Sequence, residues 1–244
     1  MCRMFCLTGN YSDDFDSIMK SFLEVTKNDP IITAKEGNFK SHDHGWGYVY
    51  QSGESVDFFR SSKPVFNSTI PGFTYGNLIV HARKAATGEP MGTMASHPHF
   101  ESDDQYEVYL AHNGWFNKPA IAKEMSVNNY SKFVDSHMFL KYIMSFKGEF
   151  LERLNSAISN AKKKGLINST ANLMILAIDR ETGKSKIYYY TDSAEDHEYT
   201  DYVKLYLVKG KAWQGVFSSS ILVSDEFPKN LSTVEVKRDT INVL

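Results

Sequence analysis

The 244-residue chain is predicted to form one α+β domain, on three observations. Apolar stretches with strand-like patterning stand at both ends, and segments of helical periodicity cluster between them. No repeat, low-complexity tract or linker divides the chain. The length suffices for a sizeable core.

Taken in order, residues 2–8 suit a short strand ended by Gly9-Asn10. From residue 13 to 27, Phe15, Ile18, Met19, Phe22 and Leu23 recur at helical spacing, with Ser12 as the expected N-cap and Asp13 and Asp14 favoured in the first turn. Residues 30–44 read as a loop closing on Ser41-His42-Asp43-His44-Gly45-Trp46-Gly47. Strands are expected at 48–51 and 56–60, joined through Ser52-Gly53, followed by an irregular stretch over 61–76 with Pro64, Pro71, Gly72 and Gly76. A strand over 77–83 runs into the small-residue loop Ala85-Ala86-Thr87-Gly88-Glu89-Pro90. Beyond Ser96-His97-Pro98-His99-Phe100, a strand over 107–111 ends in His112-Asn113-Gly114.

Helical spacing returns at Phe139, Tyr142, Ile143 and Phe146, and again at Leu151, Leu154, Ile158 and Ala161. The run Lys162-Lys163-Lys164 before Gly165 reads as a helix C-terminus with its cap, not as a binding patch. Residues 171–179 form an apolar, buried strand, and a hairpin through 181–184 leads to a strand over 187–191. Further strands are expected at 203–208, 216–219, 233–236 and 240–243.

Composition narrows the function. With 27 basic and 29 acidic residues the net charge is −2, which offers no general attraction for nucleic acid or an anionic membrane. No run of 18 apolar residues occurs, and Arg3, Asp13 and Asp14 interrupt any signal-peptide core, so a cytoplasmic location is expected. The two cysteines, Cys2 and Cys6, are four residues apart on one strand. That is about 13 Å, too far for a disulfide, and free thiols fit a reducing compartment. Cys6 is expected in the core.

Cys2 carries a sharper reading. As the N-terminal residue of a chain that has lost Met1, it would join a thiol and a free α-amine on one residue. An α-amine titrates near 7.7–8.0 and a thiol near ~8.5, so one residue could supply both base and nucleophile. Cys2 as a small buried side chain on a first strand is the competing reading. Six of the eight histidines lie between residues 42 and 112, and two pairs have His-x-His spacing, which also suits a metal hydrolase. Interleaved Gly, Pro and Asn and the scarcity of suitably spaced acids favour loop-orienting roles instead, and no metal or other cofactor is expected.

The stretches Gly45-Trp46-Gly47, His81-Ala82-Arg83, Gly88-Glu89-Pro90, His97-Pro98-His99 and His112-Asn113-Gly114 follow Met1-Cys2 in that order. This pattern resembles the class II glutamine amidotransferase domain, and Met1-Cys2-Arg3 with His44-Gly45-Trp46-Gly47 is more like its stand-alone branch. The likeness covers most of residues 2–146. It implies a four-layer α-β-β-α sandwich of the N-terminal-nucleophile type spanning residues 1–244, in which residues 147–244 complete the sandwich. It further implies Cys2 as nucleophile, Asn113 and Gly114 as oxyanion hole, Arg83 on the substrate α-carboxylate and Asp135 on its α-amine. The family has Ser or Thr three residues after the arginine, where this chain has Ala86; Thr87 would have to substitute.

The bland readings stand beside these roles: Arg83 as a surface ion pair, Asn113-Gly114 as a turn and Asp135 as a helix cap. The implied substrate is glutamine or another γ-glutamyl amide, with a separate ammonia-accepting synthase subunit as a candidate partner and homo-oligomerisation left open. A non-catalytic glutamine-binding regulatory subunit is the alternative from another class.

Overall fold

The computed structural model describes residues 1–37, 40–193 and 200–244. Among the described residues, twelve strands form two antiparallel sheets. They are β1 (Arg3–Asn10), β2 (Trp46–Ser52), β3 (Ser55–Ser61), β4 (Tyr75–Ala82), β5 (His99–Ser102), β6 (Tyr106–Phe116), β7 (Ile167–Asp179), β8 (Ser185–Tyr190), β9 (Leu205–Lys209), β10 (Trp213–Ser218), β11 (Ser232–Glu235) and β12 (Asn242–Val243). The larger sheet has the order β11-β9-β10-β1-β4-β2-β3 and the smaller β12-β8-β7-β6-β5, so both halves of the chain contribute strands to both sheets.

Alternation along β1 decides the layering. Met4 and Cys6 point into a cluster shared with Val49 and Ile79 of the same sheet and with Tyr109, Ala111, Met174 and Leu176 of the other. Phe5 and Leu7 point the opposite way, into a second cluster with helix α1 (Phe15–Lys27) and Phe217. The outer face of the smaller sheet is covered by helices α3 (Lys118–Glu124), α4 (Asp135–Ser145) and α5 (Phe150–Lys163), packed on Leu110, Leu173 and Ile175. Among the described residues no helix is long and apolar enough to cross a membrane.

Most expected elements stand within a few residues of their predicted ends, with several differences, among them strand β5, which was not expected. Ser12 does not cap α1: the helix starts at Phe15 behind Asp14, Ser12 bonds Asn10, and the Asp14 carboxylate accepts from Trp213 Nε1 at 2.7 Å. Within the expected loop over 30–44, Pro30–Glu36 form helix α2, with Asp29 accepting from Ile31 N and Pro30 in the first turn. The remainder of that loop includes Asn38 and Phe39, which lie outside the described residues. Asn113-Gly114 is no turn; β6 continues through it to Phe116. Helix α3, unforeseen in the sequence, begins behind the Asn117 cap. The lysine run does end α5, with Lys164 as C-cap.

Candidate active site

The ends of β1, β4 and β6 converge. Arg3 is paired with Ala82, so Cys2, one residue outside the ladder, lies beside the chain leaving β4. Its Sγ is 3.4 Å from the Lys84 backbone N and 3.8 Å from the Lys84 carbonyl. The Cys2 backbone N donates to Asn113 Oδ1 at 2.8 Å, from β6 of the opposite sheet. A donor on the Cys2 side fixes the Asn113 amide with its oxygen toward Cys2 and its Nδ2 away. That Nδ2 has no protein acceptor among the described residues.

Gly114 is required by close approach: a Cβ there would stand 1.7 Å from the Thr170 carbonyl on β7 and 2.7 Å from His112 Nε2. A register shift between Gly114 and Phe116 bends β6 at this point.

Cys2, Asn113 and Gly114 line one cavity together with Arg83 and Asp135. Its volume of about 160 Å³ is an order of magnitude above the ~10–15 Å³ that one water needs, so it suits a small organic ligand. Thr87 is exposed and does not line it, whereas Ala85 and Ala86 do. The structure therefore brings five of the six expected site residues together and leaves Thr87 outside.

Arg83 is 4% exposed, so it is no surface ion pair. Its Nη1 donates to the Pro90 carbonyl at 2.8 Å and touches the Met91 sulfur at 3.9 Å; among the described residues no carboxylate pairs with it. A buried guanidinium without a counter-charge is costly, and a cavity beside it is where an anion would relieve that cost. Asp135 is the first residue of α4, behind Val134 as N-cap. Its Oδ1 accepts from Ser136 N at 2.8 Å and its Oδ2 from Phe116 N at 2.8 Å, so it joins the end of β6 to the start of α4.

The run from Ser41 to Gly47 serves as scaffolding for these groups. Lys84 Nζ bonds Asp43 at 2.9 Å, and Ala85 N donates to His44 Nδ1 at 3.1 Å, which holds the segment against Cys2 Sγ. His42 bonds Asp29, the cap of α2, and Asp29 pairs with Arg3 next to Cys2. A Cβ on Gly47 would stand 2.3 Å from the Phe59 carbonyl and 2.4 Å from that of His97.

The histidines form a row of ring contacts instead of converging. Ring centroids step from His81 to His97 at 4.1 Å, to His99 at 4.4 Å and to His137 at 4.9 Å, where His137 meets Glu101 at 2.7 Å. His97 and His112 reach the cavity wall, and His112 Nδ1 bonds Ser136 Oγ at 2.8 Å. Burial holds all four of His81, His97, His99 and His112 below the ordinary imidazole value, His81 at about 3 and His112 at about 4. They are neutral near pH 7. Among the described residues no group of three or more His, Cys, Asp or Glu side chains is arranged to hold a metal ion.

Burial also lowers the α-amine of Met1, with Arg3 and Lys84 acting in the same direction. Met1 lines the same cavity. Sequence reasoning missed three features of this wall: the Lys84 backbone beside the thiol, the His112–Ser136 bond and Glu89, whose tripeptide Gly88-Glu89-Pro90 was noted without a role for the carboxylate. No protein-family model matches the chain, and no curated protein matches it.

Proposed function

We propose that the chain is a glutamine amidohydrolase in which Cys2, freed of Met1, attacks the side-chain amide of glutamine. The observation that carries the proposal is the bond from Cys2 N to Asn113 Oδ1, which engages the amide oxygen and leaves Nδ2 without an acceptor among the described residues, on a residue that lines the same cavity as Cys2.

In this mechanism the Cys2 α-amine takes the thiol proton and the thiolate attacks the amide carbon. The oxyanion accepts from Asn113 Nδ2 and the Gly114 N–H, and a donor of this kind is typically worth about 10²–10³ in rate. The tetrahedral intermediate collapses, the protonated amine hands its proton to the departing nitrogen, and ammonia leaves a γ-glutamyl thioester. Water, deprotonated by the same amine, hydrolyses the thioester to glutamate and returns the thiol. Arg83 supplies the charge for the substrate α-carboxylate, and Asp135 is the carboxylate that the family resemblance assigns to the α-amine. The reading includes the α-β-β-α sandwich of N-terminal-nucleophile hydrolases, which two facing sheets with helices on their outer faces support. It also includes a cytoplasmic enzyme that gives its ammonia to a separate acceptor.

One observation favours a second reading. Ala86 stands in the cavity wall where the resemblance implies a hydroxyl, and Trp115 joins that wall while 56% exposed. A γ-glutamyl amide with an apolar amine would find contacts there that glutamine does not use.

The test is ammonia release from glutamine by a chain whose first residue, verified by mass spectrometry, is Cys2, beside Cys2→Ala and beside a chain retaining Met1. Release confined to the first is expected. Turnover by Cys2→Ala would overturn the nucleophile assignment; release only from amides with apolar amines would select the second reading.

A further inference from the structure

The chain has three tryptophans, and two of them are buried and fully engaged. Trp46 donates from Nε1 to Ser68 Oγ at 2.9 Å, and Trp213 donates from Nε1 to Asp14 Oδ2 at 2.7 Å. Both rings pack on other aromatic side chains. Trp115 instead stands exposed in the wall of the candidate active site. Among the described residues its indole makes no hydrogen bond and no ring contact. A side chain of that size left in water forgoes the burial that the other two obtain, unless a ligand covers it.

Its position follows from β6. Tyr109 and Ala111 face the layer between the sheets and Phe116 faces the helices, so alternation puts Asn113 and Trp115 on the inner side. Gly114 pairs with Ala171 and Phe116 with Ile167, which leaves Trp115 unpaired in the register shift. A shift of this kind re-aims the side chain that it carries. Asn113, which accepts from Cys2 N, lies two residues back, about 7 Å along a strand. Ala85, Ala86 and Val134 add further apolar surface to the same wall. Neither the charged α-carbon of glutamine nor its amide calls for such surface.

Resting on the glutamine reading above, we propose that the γ-glutamyl thioester is transferred to an α-amine bearing an apolar side chain, which Trp115 seats beside Cys2. A site that holds an amine as it leaves an amide also holds that amine as it attacks the thioester, because the two steps are one path run in opposite directions. The neutral amine nitrogen bonds to the γ-carbonyl carbon, and the oxyanion again accepts from Asn113 Nδ2 and the Gly114 N–H. The Cys2 α-amine takes a proton from the attacking nitrogen. The C–S bond then breaks, and that proton passes to the departing Sγ. The products are a γ-glutamyl amide and the free thiol, and nothing else is consumed. An α-amine, titrating near about 7.7–8.0, presents far more of its neutral form near neutral pH than a lysine-like amine at ~10.4. Amino-acid amides and peptide N-termini are therefore the acceptor class.

The test supplies glutamine to the Cys2-initiated enzyme at about pH 8, where such an amine is largely neutral. Phenylalaninamide or glycinamide is added at equal concentration, and γ-glutamyl amide is counted against glutamate by mass spectrometry. The two acceptors share the α-amine and differ in the benzyl group. Transfer to phenylalaninamide is expected to exceed transfer to glycinamide about tenfold or more, the scale of partly burying an aromatic side chain. In Trp115→Ala that preference is expected to fall to about twofold or less, and Trp115→Phe is expected to keep most of it. Each ratio is read within one reaction, so a change in overall turnover cancels. Equal transfer to both acceptors would overturn the proposal, as would an undiminished preference in Trp115→Ala. Ammonia release with glutamate as the sole product would overturn it and leave the glutamine reading standing. No ammonia release from glutamine, with or without acceptor, would remove both.

Discussion

The molecule buries two arginines near Cys2 in opposite ways. Arg3, fully buried, lies 3.4 Å from Asp29, donates to the Tyr202 carbonyl and Ser220 Oγ, and stacks 3.6 Å from the Tyr202 ring centroid. Asp29 in turn accepts from Ser220 Oγ at 2.9 Å and from the α2 backbone, and meets His42 at 3.1 Å. Burial raises its carboxyl, but Arg3 and His42 outweigh that and hold it below the usual range. This region neutralises itself. Arg83, two residues beyond His81, the β4 partner of Met4, and at the cavity wall, has a backbone carbonyl and a sulfur and no carboxylate among the described residues. A charge closed within the protein contributes to the fold, and a charge left open contributes to recognition.

The largest expected effect tests the closed region. Asp29→Ala leaves the Arg3 guanidinium buried and alone, which typically costs about 3–5 kcal/mol, with about 1 kcal/mol more from the lost cap of α2. Urea unfolding should report it as a lower midpoint at unchanged slope. A loss below about 1 kcal/mol would mean that water reaches Arg3 and that the two arginines are not different in kind.

The open region should show the reverse. Arg83→Met removes an uncompensated cation, so unfolding free energy should change by less than about 1 kcal/mol or rise. Catalytic efficiency toward glutamine should fall roughly 10- to 150-fold, the equivalent of ~1.5–3 kcal/mol for a charged hydrogen bond. A variant that unfolds like Asp29→Ala would reassign Arg83 to the scaffold.

The contrast also explains what could be read from the sequence. Strand alternation exposed β1, β2, β4 and β7 because each places residues such as Met4, Cys6, Leu173 and Ile175 in one of two apolar layers. Helix α2 escaped because Ile31 and Ile32 give it almost no periodicity; it is held by the Asp29 cap, whose other oxygen pairs with Arg3 far away in sequence. A turn at Asn113-Gly114 was the competing reading because that dipeptide suits one. Here the glycine is needed for the approach of β7, a tertiary demand without a local signature. Cys2 was found from its place behind Met1, Arg83, Asn113 and Gly114 through ordered tripeptides, and Asp135 through the position that the family resemblance implies for a carboxylate. Glu89 was not distinguished within its tripeptide, since an unpartnered oxygen is a property of the folded cavity alone.

A third region lies between these extremes and separates them by pH. His99 is fully buried between the rings of His97 and His137, near Arg60, and neither ring nitrogen has a partner. Its folded value lies well below 6.5 because of burial, with repulsion from His137, Arg60, His81 and Arg83 adding to it. Above about pH 6.5 neither folded nor unfolded chain binds this proton. Below it the unfolded chain does and the folded chain does not, so stability falls by about 1.4 kcal/mol per pH unit for each such histidine. Asp29, lowered instead from 3.8, loses its contribution only in a more acidic window. Unfolding free energies between pH 7.5 and 5 should therefore decline steeply, and His99→Leu should reduce the slope by about one proton. An unchanged slope would place the titration elsewhere.

The smallest expected effect concerns Thr87. Exposed and outside the cavity, it has no contact by which it could replace the hydroxyl missing at Ala86. Thr87→Ala should leave glutamine kinetics and stability within about 0.5 kcal/mol of wild type, the range for an ordinary surface position. Ala86→Ser, in contrast, introduces a hydroxyl at the wall itself, beside Arg83, and should lower the KM for glutamine if glutamine is the substrate that the cavity selects. A tenfold loss in Thr87→Ala would show that residues 84–89 rearrange when substrate binds. Arg83, which adjoins that segment, would then acquire its final position only in the complex, and its open charge would be a feature of the empty cavity alone.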